Sequence, residues 1–422
     1  MEIDGVSLLS YQEVLEIIEG QENHLLLGNG FNRGLGIDTS YSSIFQKMIE
    51  NNHGIYKDVA NLVKVCDFDL EKFIGELEKD IEPENIFLRK YINNKVKMDF
   101  MQATHEIVKS EIKNIYAEKN DGVFILLKQF TNYFTLNYDS FLYLLLLNYK
   151  SLDTGLNTAF SLQPSLKFVQ EDLNIRHNEV YNEIKQIRNG SLSITINPDI
   201  NPTKTPIDKV TKSTFTTIIK QYAKSNQKKW KTKIILQVVN FILEEEKKNQ
   251  VLKNVDDGAQ LKLFQGAKEF VFDLNSRTQN LFFLHGAFHI YKDGESIKKI
   301  TQQADKALYD RLESILNNEE QEIVCVFQSE DKLDAIKKNE YLQKCYNELS
   351  GLSGNFVILG SALSDNDNHI FEQVNRSKIE NVFISATSFT EEKVKVAKRK
   401  FTEKKIYFFD VNTITYKKPE EN

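Results

Sequence analysis

Four short polar clusters hold the residue types in this chain that could do chemistry. Gly28-Asn29-Gly30 follows an apolar run in HLLLGNGFNRG, and Asn137-Tyr138-Asp139 follows TNYFTL. His285-Gly286 follows LFFL, and Gly360-Ser361 follows NFVIL. Gly28 and Gly30 permit positive φ and let backbone N–H groups approach a phosphate closely, although the pair also fits a plain tight turn. Arg33 stands where a third glycine would complete GxGxxG; it is either a bidentate donor to a phosphate or a surface arginine. Asn137 and Asp139 can present an amide and a carboxylate to one cleft, the first for a ribose hydroxyl or a water, the second for a ligand amide. Asp139 equally suits an Asx turn that caps the next helix. His285 is of the type that serves as a general base near neutral pH, and a histidine after an apolar run is also a common satisfied core group. Gly360 and Ser361 can contact an anion or a ribose. Asp365 and Asp367 look like half of an EF-hand loop whose glycine and distal glutamate are missing. His285 and His289 have the spacing of a metal pair only on a helix, and LHGAFHIY does not read as one, so no metal is expected.

These clusters can act together only if the elements that carry them converge, and each one ends a predicted strand. Ser10-Tyr11-Gln12-Glu13 reads as a capping box that opens a helix. Leu25 to Leu27 reads as a buried strand. Segments 40–52 and 67–80 have helical spacing, and Pro83 to about Glu118 favours one or two long helices. Val123 to Phe130 suits a helix, TNYFTL a strand, and Ser140 to about Tyr149 an apolar helix. From Asn280 onward the pattern alternates: strands at LFFLHG, EIVCVF, NFVILG, NVFISA and KIYFFD, with helices at 301–317, 330–349, 366–378 and 390–402. Such alternation predicts an α/β fold, a Rossmann-like doubly wound parallel sheet covered on both faces. Ligands of such sheets bind at the carboxyl ends of the strands, where all four clusters fall.

The stretch between the two halves differs in composition. Residues 150–278 hold four of the six prolines and two predicted long helices, near 168–187 and 214–248. We therefore expect 1–149 and 279–422 to build one domain and 150–278 to form a large, mainly helical insertion. Nine lysines and one acid, Asp208, lie between Lys204 and Lys233; the pattern reads as a solvated helical face or as a patch for nucleic acid or an acidic partner. With a net charge of -6 the chain gives no global reason to expect nucleic acid. The three cysteines, Cys66, Cys325 and Cys345, cannot all pair and form no CxxC, which points to a reducing cytoplasm and excludes a four-cysteine zinc site. No apolar run is long enough to span a bilayer, and Met1-Glu2-Ile3-Asp4 lacks the start of a signal peptide.

The ordered set Gly-Asn-Gly, Asn-Tyr-Asp, Leu-His-Gly and Gly-Ser-x-Leu resembles the sirtuin-like NAD-binding superfamily. The likeness covers 24–45, 131–149 and 281–409, and it looks closest to a bacterial branch of NAD-cleaving antiphage-defence proteins. The resemblance implies that Gly28, Asn29 and Gly30 cradle the NAD pyrophosphate, with Arg33 in the same loop. It implies that Asn137 positions the ribose or the attacking water, and that Asp139 lies close to the nicotinamide carboxamide. By the same likeness His285 is the base for ribose hydroxyls or water, and Gly360 and Ser361 contact phosphate and the adenosine ribose. The chain departs from sirtuin deacylases in having too few cysteines for their zinc module. The expectation is therefore a cytoplasmic NAD glycohydrolase with no cofactor beyond NAD as substrate. Its loss of NAD would need control, through a homo-oligomer or a regulatory sensor subunit acting on the insertion. The competing expectation is a non-catalytic nucleotide sensor that signals to a partner. ADP-ribosyl transfer is a variant of the first.

Overall fold

The computed structural model describes residues 2–51, 71–74, 86–117, 121–151, 255–264, 267–300, 308–318, 320–327 and 332–416, with Tyr56 and isolated positions between 216 and 236. The chain divides into two compact units, one made of Met1–Leu145 with Val255–Asn422, the other of Leu146–Asn254. The composition change put the second break at 278, but residues 255–278 belong to the first unit. The helix expected at 168–187, Cys66 and most of 67–80 lie outside the described residues. So does the lysine-rich stretch 204–233, apart from isolated helical positions such as Lys220 and Lys224.

The first unit opens with a hairpin of β1 (Glu2–Ile3) and β2 (Val6–Leu9). Asp4 and Gly5, both at positive φ, make its two-residue turn. Ser10 then caps α1 (Tyr11–Ile18) with the expected box: its side chain accepts from the Glu13 N–H while the Glu13 carboxylate accepts from the Ser10 N–H. β3 (Asn23–Leu27) is buried at every position. Burying Leu25, Leu26 and Leu27 stabilises the fold by roughly 1.5–3 kcal/mol each. There follow α2 (Asn29–Gly34), α3 (Tyr41–Asn51), α4 (Ile86–Ala117), α5 (Asp121–Leu127), β4 (Asn132–Thr135) and α6 (Phe141–Ser151).

Past residue 255 come β5 (Ala259–Phe264), β6 (Ala267–Phe272), β7 (Leu281–Phe283), β8 (Gly286–Asp293) and β9 (Ser296–Lys299). Then α7 (Leu308–Leu316), β10 (Gln321–Cys325), α8 (Lys332–Lys338), α9 (Glu340–Glu348) and β11 (Ser353–Leu359) lead to the last part, α10 (Asn368–Arg376), β12 (Lys378–Ala386), α11 (Glu391–Lys400) and β13 (Lys405–Asp410). The single helix expected over 330–349 is two helices, because Asn339 leaves helical geometry and caps the second.

The protein is mixed α/β. Its main sheet has eight strands in the order β1-β2-β13-β12-β11-β3-β4-β7, parallel throughout except for the pairing of β1 with β2. From β3 the chain adds β4 and β7 on one side; from β11 it adds β12 and β13 on the other. At the amino ends an amide ladder stitches three strands together, Asn381 Nδ2 donating to Asn355 Oδ1 and Asn355 Nδ2 to Asn23 Oδ1, each over 2.8 Å.

A second sheet, wholly antiparallel, runs β10-β8-β9-β6-β5. This corrects the reading of EIVCVF as a strand of the parallel sheet: β10 pairs antiparallel with β8. The chain passes between sheets at Leu284-His285, and Gly286, at φ +81°, makes the turn where a Cβ would strike the Val324 carbonyl. Apolar alternation alone cannot reveal such a switch, since both sheets bury the same residue types.

Candidate active site

The carboxyl ends of β11, β3, β4 and β7 stand side by side and open onto a cleft of about 940 Å³. Gly28, Asn29, Gly30, Arg33, Asn137, Asp139, His285, Gly360 and Ser361 all line it. The four clusters singled out by sequence are thus brought to one place.

The glycines act differently from a phosphate cradle. Neither Gly28 nor Gly30 adopts positive φ. The Gly28 N–H donates to the Leu359 carbonyl over 3.0 Å and the Gly30 N–H to the Gly360 carbonyl over 2.8 Å. Both donors are therefore spent on the neighbouring turn. A Cβ on Gly28 would lie 2.6 Å from the Gly360 oxygen and one on Gly30 2.6 Å from the Gly360 Cα. These residues are glycine because two backbones touch. Gly360 alone needs glycine for its dihedral, φ +78°. Arg33 is largely exposed at the rim, 3.7 Å from the equally exposed Asp38, a contact of the kind worth little on a surface.

An amide network fixes the middle of the site. Asn32, on α2 and buried, donates from Nδ2 to Asp139 Oδ2 over 2.9 Å and accepts at Oδ1 from Asn137 Nδ2 over 3.3 Å. Asn29 and Thr39 bond to each other across the same turn. Asp139 Oδ1 accepts the Phe141 N–H over 2.8 Å and so caps α6. Both Asp139 oxygens are engaged, and burial pushes its carboxyl above the usual range against the pull of those two donors.

His285 is 2% exposed. Its backbone is pinned by the Val326 N–H on its carbonyl, and on either side Leu284 and Phe288 bond to Thr135 and Tyr138. Burial, then the Lys332 ammonium, holds the imidazole well below its usual pKa, opposed in part by Glu71 and by a hydrogen bond to the Leu136 backbone. Nε2 has no hydrogen-bond partner among the described residues; Asp367 Oδ1 is 3.6 Å away. The ring is a neutral base with one nitrogen held and the other unspent.

Beside it lies a cluster that sequence reasoning missed. Lys332, at the start of α8 and 5% exposed, sits 2.8 Å from Glu71 Oε2 and 3.4 Å from Asp367 Oδ1. Glu71 Oε1 accepts from the Tyr41 hydroxyl at 2.9 Å and the Tyr138 hydroxyl at 2.6 Å. In sequence Glu71 and Lys332 look like two more surface charges, and only the fold shows that they are buried together. At the other end of the cleft Ser385 near the end of β12 is followed by Thr387, Ser388 and Thr390, and Lys393 donates to Ser388. Among the described residues no group of three His, Cys, Asp or Glu side chains is placed to hold a metal, and no described helix is long and apolar enough to cross a membrane.

The chain belongs to a family whose model is described as a domain of unknown function (DUF4917) and matches residues 166–416. The matched span takes in His285, Lys332, Gly360 and Ser361 and begins after the turns of β3 and β4. No curated protein matches the chain.

Proposed function

We propose that this member of the family is an NAD glycohydrolase, with a Rossmann-like, doubly wound sheet holding the dinucleotide across the carboxyl ends of its strands. The observation that carries the reading is a neutral, buried His285 with an unspent Nε2, set in one cleft with Asn137 and the turns of β3 and β11. The bond that breaks joins the ribose C1′ to the nicotinamide nitrogen. Its electron pair leaves with the ring, which loses its pyridinium charge and needs no general acid, while positive charge develops on the ribose. A water held by the Asn137 side chain adds to C1′ and gives its proton to His285 Nε2, directly or through a ribose hydroxyl. Asp139 works at one remove, holding Asn32, which holds Asn137. The hydroxyl-rich end after β12 suits the adenosine ribose. As in the expectation from sequence, such an enzyme needs restraint, and an antiphage effector released by a partner or by oligomerisation fits that need.

The test is direct. Purified full-length chain is incubated with NAD and nicotinamide is measured; release is expected, and His285→Ala or Asn137→Ala should lower it by about 10²–10⁴-fold. Turnover unaffected by both substitutions would sink the assignment. A second reading, a nucleotide sensor without turnover, draws on the 2% exposure of His285; it predicts NAD binding with no nicotinamide released under any condition.

A further inference from the structure

We propose that the buried Glu71–Lys332 pair is a subsite for an uncharged primary carboxamide on the leaving ring, and so decides which dinucleotides the cleft accepts. The proposal rests on the reading of the cleft as an NAD site. Asp139, the acid expected beside the carboxamide, is committed to capping α6 through the Phe141 N–H and to holding Asn32, which in turn holds Asn137. Glu71 and Lys332 line the same cleft as His285, and each is 5% exposed. An ion pair kept out of water is a poor source of stability, since desolvation offsets most of its attraction. At the wall of a ligand cleft it has a second use.

The chemistry matches an amide. Lys332 spends two of its three N–H donors on Glu71 and Asp367; the third can meet a carbonyl oxygen. Glu71 Oε1 already accepts from the Tyr41 and Tyr138 hydroxyls, so Oε2, the oxygen beside Lys332, is the one placed to take an amide N–H. Tyr41, Phe100 and Phe288 line the cleft nearby and offer flat apolar surface to an aromatic ring. Charge points the same way. Glu71 and Asp367 against Lys332 leave one net negative charge beside a neutral imidazole, which favours a cationic nicotinamide ring and opposes a ring bearing a carboxylate.

The experiment compares NAD with nicotinic acid adenine dinucleotide, which differs only in carrying a carboxylate for the carboxamide. Calorimetric affinity is measured for the full-length chain, for Glu71→Gln, for Lys332→Met and for the double variant, with thermal melts for each. Hydrogen bonds to charged groups lead us to expect a preference for NAD of about ten-fold or more in the wild type. Glu71→Gln should move the ratio toward one, and Lys332→Met should raise it, because the carboxylate then repels the acid without compensation. A merely structural pair would not move the ratio in opposite directions. The double variant, which leaves Asp367 as the one charge of the cluster and so retains the wild-type net charge, keeps the test available where a single variant unfolds. With the Lys332 donor and the Glu71 carboxylate both gone from the carboxamide, its ratio should fall below that of the wild type. A wild-type ratio near one, or a ratio that every folded variant retains, overturns the proposal. Nicotinamide release, followed in parallel, separates the two claims. Selective binding without release supports the subsite and refutes hydrolysis, whereas NAD cleavage with a ratio near one refutes the subsite alone.

Discussion

At the scale of single residues, burial and the Lys332 ammonium keep the His285 imidazole neutral well below its ordinary titration range. The rate of NAD cleavage should therefore be flat through neutral pH and fall on an acid limb below about 6.5. Lys332→Met removes a neighbour that lowers the pKa, so the limb should move to higher pH, as a kcat/KM profile would show. The glycines make a different expectation. Gly360→Ala puts a Cβ into the backbone of Gly30 and Phe31 at φ +78°; a loss beyond about 1 kcal/mol and a widened gap between the two turns should follow, read by thermal melts and by NAD affinity. The glycine spacing was legible in sequence, but its purpose was not. GxG after an apolar run looks the same whether the amides face a phosphate or another strand's turn. Glu71 and Lys332 were illegible for a simpler reason, since nothing local marks a charge that becomes buried only by long-range contacts.

Among the elements, the parallel strands β3, β4, β11, β12 and β13 were readable because central parallel strands are near-continuous apolar runs. The second sheet carried its own signals in the turns. Gly294-Glu295 joins β8 to β9, with Gly294 at φ +57°, while Asp4-Gly5 joins β1 to β2, and a two-residue loop of Gly-X or Asp-Gly between apolar runs is a strong hairpin mark. Alternation of strand and helix outweighed those marks and drew β10 into the wrong sheet. The break between α8 and α9 is likewise local chemistry. Asn339 Oδ1 accepts from the Tyr341 and Leu342 N–H groups, so Asn339→Ala should cost about 0.5–2 kcal/mol. Chemical denaturation would measure that loss. NAD affinity should stay the same, because the cap lies outside the residues that line the cleft.

For the whole molecule, buried histidines set the response to acid. His289 is held at about 3 and His369 at about 4, chiefly by burial, while His24 and His285 are lowered for the same reason. In the unfolded chain each returns to about 6.5 and binds a proton that the folded state refuses. Their contribution is intact above that pH and is lost as pH falls toward 4, at up to about 1.4 kcal/mol per histidine per unit. Asp139, raised by burial, has the opposite sign across its own window above 3.8. Melting temperature should drop steadily between about pH 6.5 and 4, and a flat profile there would contradict the burial of these rings. The amide ladder from Asn23 to Asn355 closes over 332 positions of chain, and its upper end is the meeting of Gly28 with Gly360. A ribosome adding about 5–20 residues per second takes roughly twenty seconds to a minute to cover that span. Throughout that time the growing polypeptide carries Asn137 and then His285 with no wall opposite them. For the NAD hydrolase proposed above, synthesis itself thus delays a complete cleft until Gly360 has emerged, a built-in grace period for the cell that makes it.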